Sequence, residues 1–351
     1  MNLTTVGLDL AKNIITICGM NEHGEVVVRR NVTFGKCAEW LAQLPVGCVV
    51  GMEACGSAHY WGRKLQTMGL QPRIMAADFV APFRKSSKTK NDSNDAEAVA
   101  IAVQQPNMRF VSVKTEAQQT RLVWHCLREG WKAERTALIN RARGLLLEFG
   151  YPIPQSTVAF YRGAAEAQVD DALPESLRDA LLLMTTQLRE LERLMSHCEK
   201  TIASAAKQDK TAQQLCGIHG VGALTADAIC ASVSSASDFK NGRQFAAWLG
   251  LVPRQRSTGG VTKLGRITKR GDAYLRCVLV QGSRSSLQSA QKKEPLLRSH
   301  EQRWMMALYA RIGFQKTLVA IANKHARQIW AMMSKGEDYN PESWRQYTKA
   351  A

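Results

Sequence analysis

Apolar and polar residues alternate along the first hundred positions in a pattern that predicts an α/β domain. Three strand-like runs, of which the second and third are joined by a turn at 21–24, predict a three-stranded meander. A later apolar run, bounded by glycine and ending in an acid, is typical of a buried parallel strand. Helical periodicity separates the later strands. The predicted strands are 3–9, 13–20, 25–32, 46–53 and 72–76, and the predicted helices are 34–43, 57–68 and one that begins near Asp92.

The rest of the chain follows helical spacing. Residues 114–149 predict one long helix. From Leu177 to Ala205, apolar residues recur at alternating steps of four and three over four heptads, which is typical of a coiled coil. This stripe predicts self-association or a long antiparallel hairpin, and the alternative is an amphipathic helix that packs on its own domain. Segment 215–233 resembles a helix-hairpin-helix, whose glycines let backbone N–H groups approach a DNA phosphate.

These patterns together predict three kinds of structure along one chain: an α/β domain at the N-terminus, a helical coiled-coil middle and a mostly helical C-terminal part. A chain of 351 residues, 45% of them apolar, is long enough to form two or three cores. The predicted divisions are 1–112, 113–210, 211–335 and a polar tail at 336–351.

The charge of the chain indicates a polyanionic partner. The formal net charge is +17, and residues 217–351 hold 21 basic against eight acidic residues, an excess of 13. Such an excess favours nucleic acid over a small acidic substrate. The nine cysteines include no CxxC pair, so neither a zinc site nor a disulfide framework is indicated, and no run of about 18 apolar residues predicts a membrane span. We therefore expect a cytoplasmic protein without membrane contact.

Four acids are candidates for a metal site. Asp92 and Asp95 stand three apart where a helix begins, so their carboxylates share one face. Asp9 lies in the first predicted strand, and Glu53 ends the fourth. Acids at strand ends and on a following helix converge at one edge of an open sheet, and about four carboxylates suit hard divalent cations, Mg²⁺ or Mn²⁺. Alternatively, any one of them is a surface charge, or, for Asp92, a helix N-cap.

Three motifs around these acids resemble a known family. GLDLAK (7–12), MEACG (52–56) and KTKNDSNDAEAVA (88–100) resemble the RNase H-like, RuvC-type domain of the DEDD transposases of bacterial insertion sequences. That family is related to the pilin-inversion recombinases, and some members are guided by a bridge RNA. The resemblance implies metal ligands at Asp9, Glu53, Asp92 and Asp95. Cys55 departs from it, since the family-like motif has threonine there.

A glycine-rich, arginine-dense segment follows Pro253 and predicts a loop that holds Ser257. The residues alone favour a phosphate-binding loop over a nucleophilic serine, because no His or Asp lies nearby as a base. However, GLVPRQRSTGG…LGRITKRGDAYLR resembles the C-terminal domain of the same transposases, which implies that Ser257 is the recombination nucleophile, with Thr258 a weaker candidate. The candidate phosphate-binding cations here are Arg254, Arg256, Lys263, Arg266, Lys269 and Arg270.

Two more basic segments are candidate nucleic-acid contacts. One is the arm before Asp92, and the other is the long helix, where the cations fit either a solvated face or phosphate contact. Segment 134–150 also resembles the part of the family that contacts guide RNA. The candidates are Arg84, Lys85, Lys88 and Lys90 on the arm and Arg128, Lys132, Arg135, Arg141 and Arg143 on the helix.

The resemblance implies a site-specific DNA recombinase, a transposase with a serine nucleophile and a four-carboxylate metal site. Its expected partners are donor and target DNA, a bridge RNA, and further copies of the chain in a dimer or tetramer. The alternative is a metal-dependent nuclease of the Holliday-junction-resolving kind that uses water as nucleophile. A non-catalytic RNA-binding protein is a third possibility, in which the acids are only caps.

Overall fold

The structure, a computed structural model, describes residues 3–85 and 92–344. The chain forms two compact units, Met1–Glu116 with Ser234–Asp238, and Ala117–Val233 with Phe239–Ala351. The division at residues 112, 210 and 335 stays a prediction. Lys88 and Lys90, two of the predicted nucleic-acid contacts, lie outside the described residues.

The first unit is built on a five-stranded mixed sheet with the order β3-β2-β1-β4-β5. The first three strands are antiparallel neighbours, and β4 and β5 continue in parallel with β1. The expectation of a mixed α/β domain at the N-terminus is confirmed. The elements are β1 (Thr5–Leu10), β2 (Ile14–Met20), β3 (Val26–Thr33), α1 (Phe34–Leu41), β4 (Val49–Glu53), α2 (Ala58–Thr67), β5 (Gln71–Met75), α3 (Ala77–Val80) and α4 (Asp92–Ala102).

Helices cover both faces of this sheet, which explains why β1 and β4 are apolar throughout their middle. On one face, Leu8 and Met52 pack with Trp61 of α2 and with Trp40 and Leu41 of α1. On the other face, α4 lies against β1, β2 and β4. The alanines of α4 keep that layer thin, so the helix lies close to the strands.

The second unit is mostly helical, as the sequence predicts, with one two-stranded hairpin. Its elements are α5 (Glu116–Glu148), α6 (Thr157–Gln168), α7 (Glu175–Gln208), α8 (Lys210–Leu215), α9 (Ala223–Ser232), α10 (Gly242–Trp248), β6 (Pro253–Thr258), β7 (Val261–Ile267), α11 (Ala273–Lys292), α12 (His300–Ile312) and α13 (Phe314–Lys335). None of the helices in the described ranges combines the length and the hydropathy needed to cross a membrane.

The heptad stripe of α7 packs within its own chain. Leu181 and Leu188 belong to one core with Ile139 of α5 and Phe160 of α6. The two long helices run antiparallel, because Arg128 pairs with Glu199 and Arg135, about two turns later, pairs with Glu192. The stripe therefore contributes to an antiparallel helical arrangement of this chain, and a coiled coil with a second chain stays a prediction.

The glycine-rich turn before α9 is explained by packing. Gly220 has a φ of +90°, and a Cβ there would overlap the carbonyl of Gly282 and the hydroxyl of Ser286 on α11. Ser286 Oγ also donates to the carbonyl oxygen of His219 at 2.6 Å. These glycines let the turn and α11 meet backbone to backbone, so His219 acts here as a packing residue.

Candidate functional site

Two glycines of the sheet place the acids of the first unit. Gly7 and Gly51 face α4: a Cβ on Gly7 would overlap Ala96 and Ala100, and one on Gly51 would crowd Val103. Side chains alternate along a strand, so a residue two positions further points to the same face. Those residues are Asp9 after Gly7 and Glu53 after Gly51, and both are thus directed to the face that α4 covers.

Asp92 and Asp95 reach the same place from the first turn of α4. Ligand oxygens of Asp9, Asp92 and Asp95 all lie within 4.8 Å of one another. Asp92 is exposed, and the other two are half-buried. The first turn of α4 therefore reaches the end of β1, because Ala96 and Ala100 rest on the bare backbone of Gly7.

Glu53 is joined to this group through Arg84. The guanidinium donates from Nη2 to Glu53 Oε1 at 2.9 Å and from Nε to Asp95 Oδ1 at 2.9 Å. The structure thus brings three of the four predicted ligands into one group and holds Glu53 next to it by a shared cation. Arg84, which the sequence suggests as a nucleic-acid contact, is engaged with the acids instead.

The donor set fits a hard divalent cation. Carboxylate oxygens are the ligands that Mg²⁺ and Mn²⁺ prefer, and three converging carboxylates repel one another unless a cation neutralises them. Arg84 supplies part of that neutralisation by pairing with Asp95 and Glu53. The group of Asp9, Asp92 and Asp95 would hold the metal, and Glu53 would join it on release from Arg84.

A second ion-pair group fixes the neighbouring turn of α4. Glu97 pairs with Lys85 at 2.7 Å and with Arg29 of β3 at 2.8 Å. Burial raises the pKa of Glu97, but hydrogen bonds from Lys85 and Arg29 outweigh it and hold the pKa of that carboxyl below its ordinary value. Glu97 therefore stays ionised and holds α4 to β3 and to Lys85.

Cys55, where the family-like motif has threonine, lies just beyond β4. Its Sγ donates to the carbonyl of Gly56 at 3.4 Å. Burial and the neighbouring carboxylates of Glu53 and Asp9 raise the pKa of the Cys55 thiol. The side chain is therefore a neutral thiol beside the acids, whereas a metal ligand would be a thiolate.

Ser257 lies in the second unit on a β-hairpin, so the prediction of a loop is wrong here. Strands β6 and β7 pair antiparallel around a two-residue turn, Gly259–Gly260, with φ of +57° and +77°. Two consecutive residues with positive φ are what a tight hairpin turn requires, and glycine adopts them without strain. The Gly-Gly pair is the sequence signal that could have indicated this hairpin.

The two faces of the hairpin differ in charge. Ser257 pairs in register with Thr262 and receives a hydrogen bond from Gln255 Nε2 at 2.8 Å, so both of these partners are neutral. Arg256 and Lys263 are opposite each other in the strand register, and their side chains point to the other face, because neighbouring residues of a strand point to opposite sides. These two cations thus do not point with the serine, although the sequence places them beside it.

Comparison with known proteins bears on both candidate sites. A DEDD transposase model matches residues 6–151, which include all four acids, and the model of the transposase IS116/IS110/IS902 family matches residues 212–298, which include the hairpin. The chain belongs to this transposase family. It is thus an enzyme of the class that cleaves and rejoins DNA, its first unit carries an RNase H-like domain, and the family implies a nuclease-like site that depends on a divalent metal.

Similar proteins span nearly the whole chain. A probable family 20 transposase of Pseudomonas aeruginosa is 40% identical over 97% of this chain and 100% of its own length. The transposase for insertion sequence element IS1111A of Coxiella burnetii is 36% identical over 96% and 92%, and that for IS1328 of Yersinia enterocolitica is 33% identical over 95% and 98%.

The predicted nucleic-acid contacts on the long helix of this transposase are mostly engaged within the chain. Arg128 and Lys132 bind Glu129, Arg135 pairs with Glu192, and Arg143 donates to backbone carbonyls near Pro154. Arg141 is exposed. On the hairpin and the turn after it, by contrast, the six candidate cations are all exposed.

One buried polar network escapes any motif in the sequence. Asp227 of α9 is fully buried; it accepts from Arg121 Nε at 2.9 Å and lies 2.9 Å from His125 Nε2. The other ring nitrogen of His125 lies 2.8 Å from the Tyr274 hydroxyl. The four residues join α5, α9 and α11, and only the packing of these helices brings them together.

Proposed function

We propose that this transposase cleaves DNA with Ser257 as the nucleophile and with a divalent metal, Mg²⁺ or Mn²⁺, held by Asp9, Glu53, Asp92 and Asp95. The observation that carries the proposal is the convergence of three carboxylates within 4.8 Å at the end of β1 and the start of α4. The exposed hairpin around Ser257 supports the second half, because a nucleophile that attacks a DNA phosphodiester must be reachable by a bulky substrate.

A metal held by these carboxylates would neutralise the charge on the phosphodiester and polarise it for attack. The role of the carboxylates themselves is to bind and orient the metal. Arg84 would move from Asp95 and Glu53 to the phosphate as the metal replaces it, since a guanidinium pairs equally well with phosphate.

Cleavage by Ser257 conserves the number of phosphodiester bonds. The Oγ–P bond forms as the P–O bond to the 3′ oxygen breaks; the serine loses its proton, and the departing 3′ oxygen gains one. A 3′-hydroxyl of another strand then attacks the same phosphorus, forms a new P–O bond and returns the serine to its hydroxyl form. Rejoining therefore needs no external energy source. Gln255 and Thr262, the hydrogen-bond partners of Ser257, are neutral and orient the hydroxyl, so the base comes from elsewhere.

A covalent adduct tests the nucleophile. We expect labelled DNA to become attached to the purified chain in the presence of Mn²⁺, to remain attached in Thr258→Ala and to be lost in Ser257→Ala. Thr258 is the matched control because it neighbours Ser257 on the same strand and is also an exposed hydroxyl. Cleavage without an adduct in the unaltered protein would instead favour water as nucleophile, as in a resolving nuclease.

The metal half is tested separately by binding. Asp95→Asn should lower the Mn²⁺ affinity measured by calorimetry, whereas Ser257→Ala should leave it unchanged. Equal Mn²⁺ affinity in Asp95→Asn and the unaltered protein would contradict the assignment of the carboxylates.

We further propose that the serine and the carboxylates act on one phosphodiester in a dimer or tetramer. If they come from different subunits, mixing Ser257→Ala with Asp92→Ala protein should restore cleavage. Failure of the mixture to cleave would contradict sharing between subunits.

A bridge RNA is proposed as the guide, supported by the net charge of +17 and the exposed cations of the second unit. Sequencing the RNA that copurifies with the protein tests this. One abundant RNA species is expected, and bulk cellular RNA alone would contradict it.

A further inference from the structure

The hairpin of β6 and β7 extends from a fixed base. A Cβ on Gly250 would overlap the carbonyl oxygen of Arg270. One on Gly271 would overlap the carbonyl oxygen of Trp248, so two backbone segments cross here in direct contact. Arg276 Nη1 donates to the carbonyl of Arg270 at 3.1 Å and holds the crossing from α11. The packing at this base therefore sets the direction in which the hairpin leaves the unit.

Beyond the base, the hairpin is exposed on both faces. Every residue of β6 is exposed, and so is every residue of β7 except Ile267, which is half-buried. The turn is Gly259–Gly260, and an added Cβ on either glycine would meet no atom within 4 Å. A two-stranded ribbon with two free faces and a thin tip has a shape that the major groove of DNA admits.

The face opposite Ser257 carries two cations side by side. Arg256 and Lys263 are directly opposite each other in the strand register, and like charges in such a pair destabilise a hairpin. Residues 253–267 contain no acid, and within the described ranges neither cation forms an ion pair. An anion from outside would therefore stabilise this face, and the phosphates of DNA are anions that arginine and lysine bind.

The dimensions of the hairpin match those of the major groove. A sheet with its side chains is about 10 Å thick, and the groove is about 12 Å wide. Each residue adds about 3.3 Å along a strand, so Ser257 lies about 7 Å and Arg256 about 10 Å from Gly259 at the tip. With the tip on the floor of a groove about 8.5 Å deep, both side chains lie near the level of the phosphates. The serine then faces one backbone, and the cations face the other.

We infer that the hairpin enters the major groove of the DNA, with Ser257 toward the strand that it attacks and with Arg256 and Lys263 on phosphates of the opposite strand. The inference rests on DNA as the substrate in the proposed function and deepens it, because it assigns the two faces of the hairpin to two strands. Arg256 and Lys263 are positioning residues in this arrangement: they hold the duplex so that a phosphodiester lies against the serine.

The salt dependence of DNA binding, with the major groove open or blocked, tests this arrangement. Each phosphate contact contributes about 0.9 to the slope of log affinity against log salt, so Arg256→Gln with Lys263→Gln should lower the slope by about 1.8 on an unmodified duplex. At about 0.1 M salt this corresponds to about 60-fold weaker binding, if the affinity extrapolated to about 1 M is unchanged. On a duplex whose cytosines carry glucosyl groups in the major groove, the unaltered protein should already have the lower slope, and the double variant should lower it no further.

Matched variants keep the result specific. Lys200→Gln with Lys207→Gln removes two exposed cations from α7 and should leave both slopes unchanged. Arg256→Lys with Lys263→Arg keeps both charges and should keep the slope of the unaltered protein on unmodified DNA. The measurements use the full chain and fluorescent duplexes with a metal chelator present, which prevents cleavage. Because no strand is cut, the result does not depend on whether Ser257 or water is the nucleophile.

Three outcomes would overturn the inference. An unchanged slope in the double variant on unmodified DNA, or an equal loss in the α7 control, would show that these two cations make no particular phosphate contact. An equal loss on the open and the blocked duplex would place the contact outside the major groove. A loss seen only with an RNA duplex of the same sequence would assign the cations to RNA.

Discussion

Gly7 is the residue on which the geometry of the acids depends most directly, and Gly7→Ala is the sharpest perturbation of it. A Cβ at this position would overlap the carbonyl oxygen of Ala96 and the backbone nitrogen of Ala100. Both are backbone atoms of α4, so no side chain can rotate away. The helix itself must move off β1, and it carries Asp92 and Asp95 with it.

The size of the effect follows from the overlap. Restoring ordinary van der Waals separation requires α4 to shift by about 1 Å. Overpacking of this kind costs about 1–3 kcal/mol of unfolding free energy, and we expect the upper end because the obstacle is backbone. A shift of about 1 Å in a reacting group typically reduces the rate about 100-fold, and we expect Mn²⁺ affinity to fall about 10- to 100-fold.

Urea unfolding and Mn²⁺ calorimetry measure these two effects on the same protein. Gly35→Ala is the matched control: Gly35 lies in α1, and no atom would lie within 4 Å of an added Cβ. It should be neutral or more stable by up to about 1 kcal/mol, since alanine favours a helix. If Gly7→Ala matches Gly35→Ala in unfolding free energy and in Mn²⁺ affinity, the close approach of α4 does not position the site.

Three further predictions concern charge. Arg84→Gln should bind Mn²⁺ about fivefold more tightly by calorimetry, because the cation that competes for two of the carboxylates is gone; weaker binding would contradict this. Asp227→Asn should lose about 3 kcal/mol in urea unfolding, because it removes the buried charge that pairs with the half-buried Arg121. Asp171→Asn, 95% exposed, should lose less than about 0.5 kcal/mol, and equal losses would refute the network. Burial and two nearby cations lower the pKa of His59 from 6.5 to about 4, so the folded chain binds fewer protons than the unfolded chain between these two pH values. The unfolding free energy should therefore fall by about 1–3 kcal/mol as the pH drops from about 6.5 to about 4. His59→Gln should flatten this pH dependence and the exposed His23→Gln should not, and an equal slope in both variants would contradict the prediction.

Much of the first unit could be predicted from periodicity alone. Strand β4, for example, was indicated by an apolar run ending in Glu53, and it ends at that residue. The four acids could be singled out because they stand at element ends. The role of Gly7 could not be predicted, because a glycine in a strand can mark a bulge, a bend or a close backbone contact, and only the position of α4 shows which of these applies.

The second unit shows where such inference stops. The stripe of α7 fits a partner in another chain as well as one in its own, and only the tertiary structure shows that it packs on α5 and α6. The hairpin around Ser257 was missed because its strands are exposed on both faces and show no alternation of apolar and polar residues. Arginine density alone did not reveal that Arg256 points away from the serine.

The sequence by itself determined the order of elements, the excess of positive charge and the identity of the acids, because these depend on residues close together in the chain. Tertiary structure decided which charges face each other: Arg84 against Glu53 and Asp95, and Asp227 against Arg121 and His125. Such pairings join residues 11 to 106 positions apart. The residues near each position in the sequence do not indicate these ion pairs, because the pairs form only when packing fixes the distances between helices and strands.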